Sequence, residues 1–145
     1  MKTGIQGIEL IKEFEELRLE AYLCPAGIWT VGYGHTGADV HKGLKISQAE
    51  ADRLLVRDLA VAELAVDRLK TTLQQNQFDA LVSLAFNIGA HAFSNSTVAR
   101  LVKQNPDHEQ IPEAFKMWNK SKGRVLAGLV RRRTREAELY VQCKN

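Results

Sequence analysis

The first fifteen residues carry apolar side chains at the spacing of an α-helix. One arc of that helix would hold Ile5, Ile8, Leu10, Ile11 and Phe14. The pattern predicts a helix over Ile5–Glu15, with Thr3 as its N-terminal cap. Glu15 falls inside the apolar arc, whereas the other acidic residues of the segment fall on the opposite side. Glu15 is therefore the acid that we expect in apolar surroundings.

Between Arg18 and Ile46 the pattern changes to period two, which is typical of β-strands. Apolar side chains alternate with polar or aromatic ones from Leu17 to Leu23, and Pro25-Ala26-Gly27 is a turn sequence. Residues 28–34 are then rich in β-branched and aromatic side chains. The segment predicts a small three-stranded antiparallel sheet with tight turns.

From Ser47 onward the helical period returns. Ser47 and Glu50 fit a capping box at the start of a helix that continues to about Lys70. Further helices are predicted over Gln74–Asn87, Thr97–Lys103, Pro112–Trp118 and Arg131–Gln142, with glycines and prolines between them. We expect Gly89 to end the first of these.

These elements together predict an α+β fold that is mostly helical. We expect residues 1–145 to form a single domain with two lobes, at about 1–46 and 67–145, joined by the helix at about 47–70. The N-terminal lobe would hold the sheet, and the C-terminal lobe is predicted to be all-helical. A chain of this length can fold without metal or disulfide support.

The net charge and composition are compatible with several classes of binding partner. The net charge is +3, which attracts nucleic acid, anionic membranes or acidic wall polysaccharide alike. The first sixteen residues contain six charged ones, so we expect no signal peptide and no membrane insertion. The protein is expected to be made and held in a cytoplasm.

The metal-binding residue types show no ligand spacing. Cys24 and Cys143 lie far apart, which favours two free thiols, although a disulfide between them stays an alternative. His41, His91 and His108 form no metal pattern with each other or with the cysteines. We therefore expect no metal and no other cofactor.

Three side chains of the N-terminal region carry candidate chemistry. Glu15, if desolvated, would have a raised pKa and could serve as a general acid. Cys24, at the turn before Pro25, is either a thiolate nucleophile activated by His35 or a group that polarises water opposite Glu15. Thr30 could hold a water molecule with its hydroxyl. We expect Glu15, Cys24 and Thr30 to face one small cleft.

Two other groups are expected to support the structure. Asp58 is the predicted partner of His35, and we favour a structural ion pair over a catalytic one. The run Arg131, Arg132, Arg133 and Arg135 is typical of a solvated face or a nucleic-acid patch. Because acidic residues follow it and no nucleic-acid motif is present, we expect no nucleic-acid partner. One of these arginines could instead pair with Glu15.

Several stretches of the sequence resemble one family. The first stretch is residues 14–36, which include the run Cys24-Pro25-Ala26-Gly27-Ile28-Trp29-Thr30-Val31-Gly32-Tyr33-Gly34-His35-Thr36. The others are residues 75–81, Phe86-Asn87-Ile88-Gly89, and residues 128–136. This combination is similar to the bacteriophage-type lysozymes of glycoside hydrolase family 24, over nearly the whole chain. The resemblance implies a lysozyme-like fold.

The resemblance also implies site residues and an activity. The catalytic positions of the family fall on Glu15, on Cys24, where many members have aspartate, and on Thr30. Asn87 matches a polar position that faces the cleft and would bind substrate. One of Arg131, Arg132 and Arg133, with Arg132 and Arg133 as the chosen candidates, would match an arginine that supports Glu15. Such enzymes hydrolyse the β-1,4 bonds between N-acetylmuramic acid and N-acetylglucosamine in peptidoglycan and lyse the host.

The same resemblance implies the protein's surroundings. Its partner would be the glycan strands of peptidoglycan, and it would act as a monomer without a cofactor. It would wait in the host bacterial cytoplasm until a holin-type protein opens the membrane, and then act in the periplasm and cell wall.

One residue departs from the family pattern. Glycine usually follows the catalytic glutamate, but this chain has Glu16. If that position needs a left-handed backbone, glutamate would cost roughly 1 kcal/mol. Its charge would also oppose the helix dipole and raise the pKa of Glu15.

Two rival functions stay open at this point. The first is a Cys–His peptidase or amidase that uses Cys24 and His35 on wall peptides. The second is a non-catalytic module that binds the wall or nucleic acid through its arginine run.

Overall fold

The computed structural model describes residues 1–143, which form seven α-helices and five β-strands. These elements are α1 (Ile5–Phe14), β1 (Arg18–Leu23), β2 (Trp29–Gly32), β3 (His35–Thr36), α2 (Gln48–Asp67), α3 (Gln75–Ile88), α4 (Ala90–Ser94), α5 (Thr97–Gln104), α6 (Ile111–Lys116), β4 (Lys120–Ser121), β5 (Arg124–Val125) and α7 (Ala127–Val141). The predicted mixture of many helices with a small sheet is confirmed.

The chain divides into two compact units. One comprises Ile11–Ala60, and the other comprises Met1–Leu10 with Val61–Asn145. We call them the sheet unit and the helical unit. Helices α1 and α2 each contribute residues to both. The prediction of a single two-lobed domain stays a prediction.

The sheet unit contains the predicted three-stranded antiparallel sheet, in the order β1-β2-β3. Strand β1 pairs with β2 through Tyr22 opposite Thr30, and β2 pairs with β3 through Val31 opposite His35. The turn between β1 and β2 is closed by the Gly27 amide, which donates to the Cys24 carbonyl at 2.8 Å. Gly27 has a φ of 78°, which its missing side chain permits.

Helix α2 begins as the sequence predicts and ends slightly earlier. The Ser47 hydroxyl accepts from the Glu50 amide at 3.1 Å, which is half of the predicted capping box, and the Glu50 carboxylate accepts from the Ser47 amide at 3.4 Å. The helix ends at Asp67 because the amides of Leu69 and Lys70 donate to carbonyls three residues back instead of four, and Lys70 has a φ of 51°. The prediction had extended it to Lys70.

Helix α3 is the centre of the helical unit. It is buried from Asn76 to Ala85 and packs against α7. Gly89 ends it with a φ of 95°, as predicted. The fully buried Phe78, Leu81 and Leu84 place the core of this unit along its axis.

Two predictions for the helical unit are wrong in detail. The C-terminal region is not all-helical, because β4 and β5 form a two-stranded antiparallel hairpin. Helix α7 begins at Ala127 rather than Arg131, since Gly128 lies inside its first turn instead of before it. Helix α4 was not predicted.

The N-terminus also differs from the prediction. Thr3 does not cap α1, and its hydroxyl donates to the Glu63 carboxylate at 2.7 Å. The first hydrogen bond of the helix runs from the Ile8 amide to the Gly4 carbonyl. Ile5 is 81% exposed, so the apolar arc of α1 begins later than its periodicity indicates.

Candidate active site

Glu15 follows directly on the last residue of α1, inside the sheet unit. Its amide donates to the Ile11 carbonyl at 2.9 Å, which extends the last turn of the helix by one residue. Its side chain is half-buried, whereas those of Glu13 and Glu16 are exposed. The helical phase therefore predicted correctly which of these acids is the most shielded from water.

Glu16 does not adopt the left-handed backbone conformation that the glycine of the family pattern suggested. Among the described residues, the non-glycine positions with positive φ are Lys70 and Lys122. Glu16 therefore has an ordinary backbone, and the expected strain of about 1 kcal/mol does not arise. Its carboxylate lies 3.6 Å from an Arg18 guanidinium nitrogen, an exposed pair of little energetic weight.

The fold brings Cys24 and Thr30 together. The Cys24 amide donates to the Ile28 carbonyl at 3.0 Å, one step beyond the paired end of β1 and β2. Thr30 is buried on β2, and its hydroxyl donates to the same carbonyl at 2.9 Å. The hairpin thus places a half-buried thiol beside a fixed hydroxyl.

This environment lowers the pKa of the Cys24 thiol. The largest cause is a backbone hydrogen bond with Ile28; burial opposes it, and hydrogen bonds with the Ala26 backbone and the Thr30 side chain act with it. The Thr30 hydroxyl has a single proton, which can serve either the carbonyl or the thiolate. At neutral pH a larger share of Cys24 than of a free cysteine is therefore thiolate, which is the form that can accept a proton.

His35 has a structural place in β3. Its Nδ1 lies 2.8 Å from the Asp58 carboxylate, and its Nε2 lies 3.1 Å from that of Asp39. The predicted contact with Asp58 is present, whereas Asp39, four residues along the chain, was missed. Burial lowers the pKa of His35, but the hydrogen bonds to Asp58 and Asp39 outweigh it and leave the pKa raised.

The two carboxylates limit what His35 can do. Because both ring nitrogens are engaged, neither is left to take a proton from Cys24. A catalytic Cys–His pair would need one of them. The geometry therefore disfavours a Cys24–His35 nucleophile.

Two of the four arginines in the run on α7, which lies in the helical unit, are buried. Arg131 and Arg135 are exposed, but Arg132 and Arg133 are buried. A solvated face is thus the wrong interpretation for the middle two. Their partner is Glu136, one turn further along the same helix.

Glu136 holds a buried network. Its carboxylate accepts from Arg132 Nε at 3.2 Å and from the Ser83 hydroxyl at 2.5 Å, and its Oε1 lies 2.8 Å from Arg133 Nε in an ion pair. Burial raises the pKa of Glu136, and the two guanidinium groups oppose that shift. The spacing of three and four residues on one helix was the signal that could have revealed it.

Asn87 lies at the edge of this network. Its side chain is exposed, and its Oδ1 accepts from Arg133 Nη2 at 2.7 Å. The structure therefore brings two predicted site residues, Asn87 and Arg133, into direct contact.

The structure also describes the cysteines, the possible metal ligands and the possible membrane-spanning helices. Cys24 and Cys143 are both free thiols, as predicted. Residues 1–143 contain no cluster of three or more His, Cys, Asp or Glu side chains that would hold a metal ion. Within the same range, each helix is too short or too polar to cross a bilayer.

Known proteins resemble this chain over almost its whole length. The phage lysozyme family profile matches residues 12–136. An endolysin of an Acyrthosiphon pisum secondary endosymbiont phage is 42% identical over 97% of this chain and 98% of its own length. The endolysin of Bacillus phage B103 is also 42% identical over 97% of this chain, which spans only 54% of that relative.

A solved structure is similar to the same extent. The muramidase domain of SpmX from Asticaccaulis excentricus superposes with a TM-score of 0.89 and 42% identity, covering 98% of this chain and 99% of that domain. The predicted lysozyme-like fold is thereby confirmed.

Proposed function

The chain belongs to the phage lysozyme family, and we propose that it is a muramidase of the bacterial cell wall. It hydrolyses the β-1,4 bonds between N-acetylmuramic acid and N-acetylglucosamine in peptidoglycan, and so lyses the host. The observation that carries this proposal is the family match over residues 12–136, which includes Glu15, Cys24 and Thr30.

Glu15 is the general acid of the proposed reaction. Protonated, it gives its proton to the glycosidic oxygen as the bond to the leaving sugar breaks. Its half-buried place directly after α1 supports this role, because the side chain is partly shielded from solvent.

Cys24 and Thr30 supply the water. The Thr30 hydroxyl holds a water molecule on the opposite face of the sugar, and the Cys24 thiolate takes its proton as the water oxygen bonds to the anomeric carbon. The lowered pKa of Cys24 supports this role, since the thiolate must be present before the water attacks. The product would have the inverted configuration.

The other site residues have supporting roles. Asn87 binds the glycan strand, and Arg132 or Arg133 supports Glu15. His35 and Asp58 stabilise the sheet unit through their 2.8 Å contact. The enzyme acts as a monomer and needs no cofactor.

The proposed place of action is the cell wall. The enzyme stays in the host bacterial cytoplasm until a holin-type protein opens the membrane, and then reaches the periplasm and cell wall. Purified enzyme added from outside should therefore lyse cells only after their outer barrier is permeabilised.

The chemistry of the digestion products tests the proposal. Purified peptidoglycan treated with the enzyme should gain reducing N-acetylmuramic acid ends. New free amino groups would indicate a peptidase or amidase, and anhydro-muramic ends a lytic transglycosylase. Binding to peptidoglycan without any new end would indicate a non-catalytic module. Each of these three results would contradict the proposal.

A further inference from the structure

The positive charge of the chain is concentrated in one segment. Residues 114–135 contain eight lysines and arginines and no acidic residue. The rest of the chain holds the other 12 of 20 basic residues and all 17 acidic ones, which is a formal charge of −5. The net charge of +3 therefore conceals a segment of charge +8.

Most of this charge faces solvent. Arg132 and Arg133 are buried and paired with Glu136 inside the helical unit, but the other six basic residues of the segment are exposed. Three of them, Lys120, Lys122 and Arg124, lie on the β4–β5 hairpin. Such a density of exposed cations attracts an anionic partner.

The same segment exposes large apolar side chains. Met117 is 66% exposed, Val125 57%, Leu126 44% and Val130 40%. Four of the thirteen exposed large hydrophobic residues among those described thus fall within fourteen residues of one another. Scattered exposed apolar side chains are ordinary, but a group of them is not.

The backbone joins the cations and the apolar groups into one surface. Lys120 pairs directly with Val125 in the hairpin, and the Leu126 amide donates to the Asn119 carbonyl at 3.0 Å. Val130 follows Leu126 by one helical turn, since its amide donates to the Leu126 carbonyl at 3.0 Å. We call residues 117–130 the basic hairpin surface.

We propose that the basic hairpin surface is a peripheral binding site for bilayers of anionic phospholipid. Lysines and arginines bind the headgroup phosphates, while exposed aliphatic side chains enter the boundary between headgroups and acyl chains. Nucleic acid or an anionic wall polymer would engage the cations alone. The combination of both kinds of side chain favours the bilayer.

This binding is reversible and distinct from the proposed hydrolysis. A surface that combines a basic cluster with a few aliphatic side chains gives attachment that salt can weaken. It would hold the enzyme at an anionic membrane face next to the wall. It does not depend on whether the enzyme cleaves peptidoglycan.

Cosedimentation of the full-length protein with vesicles tests the inference. We expect binding to vesicles that contain phosphatidylglycerol, little binding to pure phosphatidylcholine, and loss of binding at about 0.5 M salt. Failure to sediment with phosphatidylglycerol vesicles at low salt would overturn the proposal.

Charge variants locate the surface. Lys120→Gln, Lys122→Gln and Arg124→Gln together should lower the partition coefficient about a hundredfold. The matched control removes three exposed cations elsewhere, with Arg53→Gln, Arg68→Gln and Lys103→Gln. It should lose about threefold or less, and an equal loss in both variants would overturn the assignment to the hairpin.

Apolar variants separate a bilayer from a charged polymer. Val125→Ser with Leu126→Ser keeps every charge and should lower vesicle binding about tenfold. Val56→Ser with Val61→Ser, at two exposed positions of α2, is the control and should change nothing. Circular dichroism checks that each variant is folded. Unchanged binding of the hairpin variant, or tighter binding to DNA or wall polymer than to vesicles, would overturn the proposal.

Discussion

Cys24 lies directly after β1, where its thiol meets the backbone of Ile28 and the side chain of Thr30. These contacts lower its pKa, although burial opposes them. An aspartate carboxyl group at this position would be ionised at lower pH than an ordinary thiol. We therefore expect the proposed reaction to need a higher pH with Cys24 than it would with an aspartate at the same position.

Replacing Cys24 by aspartate should move the pH–rate profile for peptidoglycan hydrolysis towards acid. The shift should be smaller than the difference between a free thiol and a carboxyl group, because the hairpin already lowers the thiol pKa. Rates measured from pH 4 to pH 10 check this, with Cys143→Ser as control. A profile that stays in place or moves to alkaline pH would remove Cys24 from the mechanism.

Thr30→Val should raise the pKa of the Cys24 thiol, since it removes the hydroxyl that stabilises the thiolate. The pH dependence of alkylation by iodoacetamide measures this directly, in a Cys143→Ser background. Thr36→Val, at the paired but exposed position of β3, should leave the alkylation curve unchanged. An identical curve for Thr30→Val would show that the hydroxyl does not act on the sulfur.

At the scale of the element, periodicity predicted the long segments well. Helices α2 and α3 lie within a few residues of their predicted bounds, because each buries apolar side chains at the helical spacing, and β1 and β2 lie within the segments where strands are predicted. Helix α4 and the β4–β5 hairpin, of two to five residues, carry no such pattern. Whether such short segments form a helix or a hairpin depends on tertiary packing and turn geometry, which the spacing of apolar residues does not indicate.

The His35 contacts make the stability of the sheet unit depend on pH. Because the folded-state pKa of His35 is raised, its contribution is fully present below the unfolded pKa near 6.5 and is lost as the pH rises through the folded value. The lowered pKa of Asp39 acts in the opposite sense: its contribution is present above about 3.8 and is lost in acid. The window of greatest benefit therefore lies between these two values.

His35→Gln should accordingly cost most near pH 5 to 6 and less at pH 8. A hydrogen-bonded charge of this kind is worth about 2 kcal/mol. Urea unfolding at several pH values measures it. His41→Gln is the control, because that ring is exposed and its Nδ1 lies 3.0 Å from the Lys42 carbonyl, not from a carboxylate. A loss that does not vary with pH would mean that His35 acts by packing alone.

At the scale of the whole molecule, the sequence indicated which residues form the site more readily than it indicated which side chains contact each other. Glu15, Cys24 and Thr30 could be singled out by helical phase, turn position and family resemblance. The contacts of Arg133 with Asn87 and of Glu136 with Ser83 join residues 46 and 53 positions apart. Such contacts depend on how α3 packs against α7, which no local pattern specifies.

The network around Glu136 predicts a large effect on global stability. Glu136→Gln leaves two buried guanidinium groups facing a neutral amide, so the free energy of unfolding should fall by about 3–5 kcal/mol. Chemical denaturation measures the loss. Glu138→Gln, on the exposed side of the same helix, should change it by less than about 0.5 kcal/mol. Equal effects of the two variants would show that the network contributes no net stability.

The central claim is that Glu15 is the acid of a glycosidase, and the rate of reducing-end release from purified peptidoglycan tests it most directly. Glu15→Gln should lower this rate about a thousandfold while the far-ultraviolet spectrum and the melting temperature stay close to those of the unaltered protein. Glu16→Gln, the exposed neighbour, should keep the rate within about threefold. Release by folded Glu15→Gln at a rate comparable to that of Glu16→Gln would contradict the account.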